Sequence, residues 1–173
     1  MNYVSFFTAT ILEWKPLLIN DKYKDIIISS MKFLVDDIRV NIYAFVIMPN
    51  HIHIVWKVKN DRKPEDVQRD FLKYTAQKIK FDLQSNKPEL LKEFYAGTKD
   101  RQYQVWERNA LTSRLTSVEL VEQKINYIHA NPIRGRWMLC KEFTDYKYSS
   151  ARFYYEGVDE WGFLTHYTEA KDE

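Results

Sequence analysis

The feature that most constrains the fold is a pair of segments in the middle of the chain, joined by two turn-forming residues. Residues 40–48 (VNIYAFVIM) form a nearly continuous apolar run, which is typical of a buried central strand. Pro49 and Asn50 indicate a turn. Residues 51–58 (HIHIVWKV) then alternate between the two faces of a second strand. Together these segments predict an antiparallel hairpin.

The segments on either side of this hairpin predict a mixture of strands and helices. Residues 4–14 are rich in Phe, Thr and Ile and predict a first strand. Apolar side chains recur with the helical period at residues 21–36, 64–84 and 116–130. Shorter elements are predicted at residues 87–100 (helix and loop), 103–107 (strand) and 149–155 (helix). The mixture predicts one α+β domain with helices packed on an antiparallel sheet.

Helix-start signals refine two of these elements. Asn20 or Asp21 is expected to cap the first long helix. Thr116 and Glu119 have the spacing of a capping box, in which each side chain satisfies a backbone amide at the start of a helix. The last long helix is therefore expected to begin at Thr116.

Length and composition limit the domain count and the expected compartment. A chain of 173 residues is long enough for one hydrophobic core, so we expect a single domain over residues 1–173, with 155–173 as a tail whose order the sequence does not define. The lone Cys140 excludes an intramolecular disulfide and suits a reducing cytoplasm. No segment approaches the roughly 20 apolar residues that span a bilayer, and the N-terminus lacks a secretory pattern.

The net charge of +2 is too small to predict a nucleic-acid partner by itself. The distribution of the basic residues is more informative, because many of them are interleaved with aromatic residues. Candidate DNA contacts are Lys57, Arg134, Arg136, Lys147 and Arg152. Cations that follow phosphates and rings that stack on bases suit single-stranded nucleic acid. A solvated charged surface over an aromatic core explains the same pattern.

A His-x-His pair opens the second strand of the predicted hairpin. Alternate side chains of a strand point to the same face, so His51 and His53 are expected to lie roughly 6.6–6.8 Å apart along it. Two imidazoles in this arrangement favour a shared divalent cation. Ile52, Ile54 and Trp56 predict that the opposite face is the buried one. The same spacing also fits two histidines that only form hydrogen bonds.

Residues 126–132 (NYIHANP) close the last long helix. Tyr127 and Asn131 are four residues apart and therefore share a face of that helix, which Gln123 extends by one turn. A tyrosine presented by a docked helix could attack phosphorus, and Asn131 could offer its carbonyl oxygen to a metal. Two ordinary roles fit equally well: a half-buried tyrosine, and a helix C-cap before Pro132.

In combination, these segments resemble the HUH single-tyrosine transposases, most closely the branch associated with repetitive extragenic palindromes (REP). The segments that carry the resemblance, in the order of the family, are residues 48–53 (MPNHIH), 71–76 (FLKYTA), 105–108 (VWER), 127–132 (YIHANP) and 146–150 (YKYSS). The likeness extends from about Tyr3 to Tyr155. Residues 84–104 and those after Tyr155 match none of the family's motifs.

The resemblance implies a ferredoxin-like fold and a role for each residue of the two motifs. His51 and His53 would be metal ligands, Tyr127 the nucleophile, and Asn131 the polar residue that completes the metal site. The metal would be Mg²⁺ or Mn²⁺, and the substrate single-stranded DNA near an imperfect hairpin. Cleavage would leave a 5′-phosphotyrosine on the enzyme. Relatives work as monomers or as dimers, so a homodimer is open.

Two other functions are compatible with the sequence. One is a domesticated hairpin-binding protein that does not turn over. The other is a His-x-His metallohydrolase, in which a metal-bound water attacks and Tyr127 has no role. Imidazole and amide ligands suit several transition metals, so the sequence does not fix the ion. Metal binding requires neutral imidazole, so activity is expected to fall at mildly acidic pH.

Overall fold

The computed structural model describes residues 3–171 of the chain, which form one α+β unit. The strands are β1 (Val4–Thr10), β2 (Val40–Met48), β3 (His51–Val58), β4 (Tyr95–Thr98), β5 (Arg101–Tyr103) and β6 (Leu111–Arg114). The α-helices are α1 (Asp21–Asp36), α2 (Pro64–Asn86), α3 (Pro88–Lys92), α4 (Val118–Ala130) and α5 (Ala151–Glu156). Among the described residues, no helix is both long and apolar enough to cross a membrane.

A four-stranded antiparallel sheet with the order β2-β3-β1-β6 organises the fold. The predicted hairpin is confirmed, since β2 and β3 pair antiparallel and are joined by Pro49 and Asn50. The register places His53 opposite Thr8 of β1 and Val46 of β2. A residue outside the hairpin also stabilises the turn between the strands, since the amide of Ile11, which follows β1, donates to Asn50 O at 2.8 Å.

Helices cover both faces of this sheet. One face carries Ile52, Ile54 and Trp56, which pack in one core cluster with residues of α1 and α2. The other face packs against α4, whose buried residues are Val121, Ile125, Ile128 and His129. The expectation that the histidine face points away from the core was therefore wrong. The sequence did not reveal this second core, because β2 looks equally apolar on both faces.

Several local predictions differ from the structure. The first strand ends at Thr10, and a short 3₁₀ helix follows at Leu12–Trp14. Residue 116 does not cap α4, because the Ser117 hydroxyl accepts the Leu120 amide at 3.3 Å instead. Residues 95–103 form the β4–β5 hairpin rather than a loop and a later strand. The exposed strand β6 was missed because its sequence, LTSR, has no apolar alternation.

The C-terminal segment covers the free edge of β2. Tyr146 donates its hydroxyl to Ile47 O at 2.6 Å, and the Ser150 hydroxyl accepts the Phe45 amide at 3.0 Å. Further along, the Thr165 amide donates to Ile42 O at 3.0 Å. Unpaired backbone groups at a sheet edge invite association, so this cover protects the edge and fixes β2 against α4.

Candidate active site

The two histidines lie side by side at the turn end of β3. Their ring centroids are 4.8 Å apart. His53 is only 6% exposed and stacks on Phe6 with a centroid distance of 5.1 Å. His51 is half-buried and lies closer to the rim, where its ring contacts Trp14 at 6.2 Å. The strand spacing thus brings both imidazoles together, as predicted.

The Nδ1 atom of each imidazole has a hydrogen-bond partner. His53 Nδ1 is 2.7 Å from the Thr8 hydroxyl, and His51 Nδ1 is 2.8 Å from Asn50 Oδ1. Asn50 is itself fixed, because its Nδ2 donates to Trp14 O at 3.3 Å. These partners orient both rings through Nδ1, so that a metal ion would be bound through Nε2 of each ring.

Burial favours the neutral form of both histidines. Burial, together with the charges of the neighbouring His51 and Lys124, lowers the pKa of His53 to about 3. Burial also lowers the pKa of His51, although the hydrogen bond that this ring donates to the Asn131 side chain opposes the shift. A neutral imidazole keeps a lone pair for a metal ion. The pH below which a metal ion is lost is therefore expected to lie below the ordinary histidine pKa. This pH is lower than the mildly acidic value expected from the sequence.

Helix α4 brings the second motif to the histidines. The Tyr127 ring lies 5.4 Å from the His53 ring and 6.1 Å from the Phe6 ring, and its side chain is 47% exposed. Asn131, one turn later, donates its Nδ2 to Tyr127 O at 3.0 Å and hydrogen-bonds to His51. The histidine pair and the Tyr127–Asn131 segment that meets it therefore belong to the same chain.

Three further residues contribute to the site and were not singled out from the sequence. Lys124 lies one turn before Tyr127, with its Nζ 4.7 Å from the Phe6 ring centroid and 5.7 Å from that of Tyr127. Thr8 and Asn50 orient the imidazoles, as described above. The i to i+3 spacing of Lys124 and Tyr127 was readable from the sequence, but the role of Thr8 required the strand register.

The donor atoms at this site fit a divalent cation. The two imidazoles supply nitrogen donors, and the Asn131 side chain, which hydrogen-bonds to His51 and through its Nδ2 to Tyr127 O, supplies an amide oxygen. Within residues 3–171, no group of three His, Cys, Asp or Glu side chains could hold a metal. Two imidazoles and one amide oxygen leave coordination positions for water and phosphate oxygens.

The candidate DNA contacts fall into two groups. Arg134 and Arg136 are exposed in the loop that follows Asn131, and Lys147 is exposed beside Tyr148. The other two are less suited. Lys57 is only 7% exposed, because β3 is covered on both faces, and this burial argues against a DNA contact. Arg152 is paired with Glu156 at 2.8 Å and with Glu160 at 3.6 Å.

Comparison with known proteins adds a family and a fold. The sequence model described as "Transposase IS200 like" matches residues 13–131. No curated protein matches the chain in sequence. The structure of the REP-associated tyrosine transposase bound to a REP hairpin is similar, with a TM-score of 0.66, 17% identity, and coverage of 94% of this chain and 86% of that one. A crystal structure described as a transposase from Deinococcus radiodurans R1 has a TM-score of 0.50, 14% identity, and coverage of 74% and 89%.

The buried histidines predict how stability depends on pH. The folded pKa of His53 is about 3, whereas an unfolded histidine titrates near 6.5. Between these values the unfolded chain binds a proton that the folded chain does not, so the free energy of unfolding falls as the pH decreases from about 6.5. Each such group contributes a slope of up to about 1.4 kcal/mol per pH unit. His53→Asn removes one group and should flatten the curve measured by urea denaturation between pH 7 and 4. Parallel curves for variant and wild type would show that His53 is not the titrating group.

Proposed function

The chain belongs to the IS200-like transposase family, and from that premise we propose that it cuts and rejoins single-stranded DNA next to a hairpin, with Tyr127 as nucleophile. The observation that carries the proposal is the position of Tyr127. Its ring lies 5.4 Å from that of His53, while Asn131 of the same helix hydrogen-bonds to His51. A phenol exposed beside a candidate metal site is the arrangement that phosphotyrosine chemistry requires.

The proposed reaction exchanges one phosphoester for another. The Tyr127 hydroxyl loses its proton and its oxygen forms a bond to the phosphorus, while the bond from phosphorus to the 3′ oxygen breaks. The 3′ oxygen takes up one proton and leaves as a 3′-OH, so that protons and phosphoester bonds are both conserved. The 5′ end of the strand is then held as a phosphotyrosine. Attack by a second 3′-OH reverses the step at a new junction, and no external energy source is needed because the ester bond is retained.

The chain's own residues would prepare this step. Phe6 and His53 contact the Tyr127 ring and limit its orientation. Lys124 holds a positive charge beside that ring, where negative charge develops on the phosphate oxygens. The proposed metal ligands are His51, His53 and Asn131. A bound Mg²⁺ or Mn²⁺ would polarise a non-bridging phosphate oxygen.

The DNA partner is proposed from the family and from surface charge. The similar transposase structure contains a REP hairpin, and a stem-loop with single-stranded flanks is the corresponding ligand for this chain. Arg134 and Arg136 are exposed and lie within five residues of the site residue Asn131, which suits contact with the phosphates near the cut. Lys147 is the third exposed candidate.

The metal assignment predicts a loss of cation binding in two variants. His51→Ala and Asn131→Ala should each lower Mn²⁺ affinity by about tenfold or more, because each removes one of three protein ligands. Direct Mn²⁺ binding, followed by electron paramagnetic resonance, measures this without any DNA. Excess Mn²⁺ should partly restore cleavage by the Asn131 variant through mass action. Glu89→Gln removes an exposed carboxylate on α3 and serves as the control. Unchanged affinity in both site variants would reject the assignment.

The surface assignment predicts an asymmetry between two pairs of cations. Charge reversal at Arg134 and Arg136 should weaken binding of a DNA hairpin and reduce its dependence on salt, because fewer counterions are released. The same reversal at Lys32 and Lys92, which are exposed on α1 and α3, is the matched control. Equal losses in the two double variants would count against a DNA surface after α4.

The nucleophile assignment predicts the effect of removing one oxygen atom. Tyr127→Phe keeps the ring that contacts His53, so folding, Mn²⁺ binding and hairpin binding should persist. Strand cleavage and the covalent protein–DNA adduct should both vanish, which a denaturing gel with labelled hairpin DNA detects. A metallohydrolase would keep cutting in this variant. A protein that only binds hairpins would form no adduct even as the wild type. Cleavage by the Tyr127→Phe variant, or the absence of an adduct in the wild type, would each reject the proposal.

A further inference from the structure

An exposed tryptophan lies at the rim of the candidate active site, in the 3₁₀ turn Leu12–Trp14 that follows β1. The centroid of the Trp14 ring is 6.2 Å from that of the His51 ring, yet 58% of the side chain is exposed. The other four tryptophans, all of which lie within residues 3–171, are buried or half-buried. Much of the Trp14 ring is therefore open to a ligand at the point where the histidine pair meets the solvent.

The backbone that presents this ring is strained. Glu13 and Trp14 both have positive φ angles, 54° and 57°. Residues other than glycine adopt this left-handed region at a cost, and a bulky side chain is rarely found there. Strain of this kind persists only where the surrounding structure enforces it, and it clusters at active sites and ligand contacts. A turn that served only to connect β1 to α1 would be expected to use glycine at these positions.

Hydrogen bonds from two sides hold the turn in this conformation. The Trp14 carbonyl accepts the Asn50 Nδ2 at 3.3 Å, and Oδ1 of the same Asn50 side chain is the partner of His51 Nδ1 at 2.8 Å. On the other side of the turn, the Glu13 amide donates to the Glu107 carboxylate at 2.6 Å. Asn50 thus orients the turn and His51 together, so the Trp14 ring has a fixed position relative to the candidate metal site.

We propose that Trp14 is a stacking surface for one unpaired nucleobase next to the phosphate that is cut. A nucleotide whose phosphate lies at the histidines has its base within reach of a ring that contacts His51. Aromatic side chains bind unpaired bases by stacking, and the contact tolerates every base because each has a π-face. Trp14 therefore holds the strand in position for Tyr127 without reading its sequence. This inference rests on the proposed function and adds a substrate contact to it.

The test measures DNA binding in the Tyr127→Phe background, so that cleavage and adduct formation do not affect it. The probe is a DNA hairpin whose single-stranded flanks are selected from a random pool for binding to this parent protein. Trp14→Ala should lower the affinity for the probe by about tenfold, whereas Trp14→Phe keeps an aromatic face and should retain most of the affinity. Abasic sites are then introduced one at a time along the flanks. At one position, the missing base should weaken binding by the parent and add little to the loss in Trp14→Ala.

Two controls exclude a role of Trp14 in packing. Phe33→Ala removes a ring with a similar exposed fraction, 56%, from α1 on the opposite face of the sheet, and should reproduce the abasic profile of the parent. Trp14→Ala should bind Mn²⁺ as tightly as the parent and unfold at the same temperature, because most of its ring contacts only solvent. A fall in Mn²⁺ affinity or in thermal stability together with the loss of DNA binding would show that the ring acts through His51 or through the fold, and would overturn the stacking contact.

The abasic profile also separates this inference from the proposed function. The same profile in the parent and in Trp14→Ala overturns the stacking contact, even when the wild-type protein forms its adduct at Tyr127. A coupled abasic position, in a protein whose wild type forms no adduct, keeps the stacking contact and rejects the nucleophile.

Discussion

The docking of α4 on the face shared by β2 and β3 is the contact on which the site depends. Val121, Ile125 and Ile128 of α4 are buried against this face, which includes Val46 and Val55. A fully buried side chain of this kind contributes about 1.5–3 kcal/mol, so the helix is held firmly. The same contact places Tyr127 over His53 and Asn131 beside His51. Truncating Ile128 would therefore lower stability and displace Tyr127, the proposed nucleophile.

The elements that could be predicted from the sequence are those whose signals lie close together along the chain. The β2–β3 hairpin and helix α1 were readable from residues 40–58 and 21–36, because apolar periodicity and turn residues lie within a few positions of each other. The family resemblance is confirmed by the match over residues 13–131 and by the similar transposase fold. The exposed strand β6 gave no such pattern, since its partner β1 is a hundred residues away in sequence.

The site was predictable in its residues but not in its environment. The strand spacing of His51 and His53 and the helical spacing of Tyr127 and Asn131 could be read directly. Their mutual approach could not, because it depends on how α4 lies across the sheet. For the same reason, the burial of His53 and its lowered pKa could not be predicted from the sequence. Whether both faces of a sheet are buried depends on how the helices pack on it. The alternation of polar and apolar residues along one β-strand does not predict this.

The central claim is that Tyr127 becomes covalently linked to DNA, and peptide mapping of the adduct tests it most directly. The wild-type protein is incubated with hairpin DNA and Mn²⁺, the adduct is isolated under denaturing conditions, and tryptic peptides that retain nucleotides are identified by mass spectrometry. The chain contains 12 tyrosines, and cleavage after Lys124 and Arg134 isolates Tyr127 as the only one in its peptide. We expect nucleotides on the peptide of residues 125–134. An adduct on any other tyrosine, or a cut strand with no adduct, would contradict it.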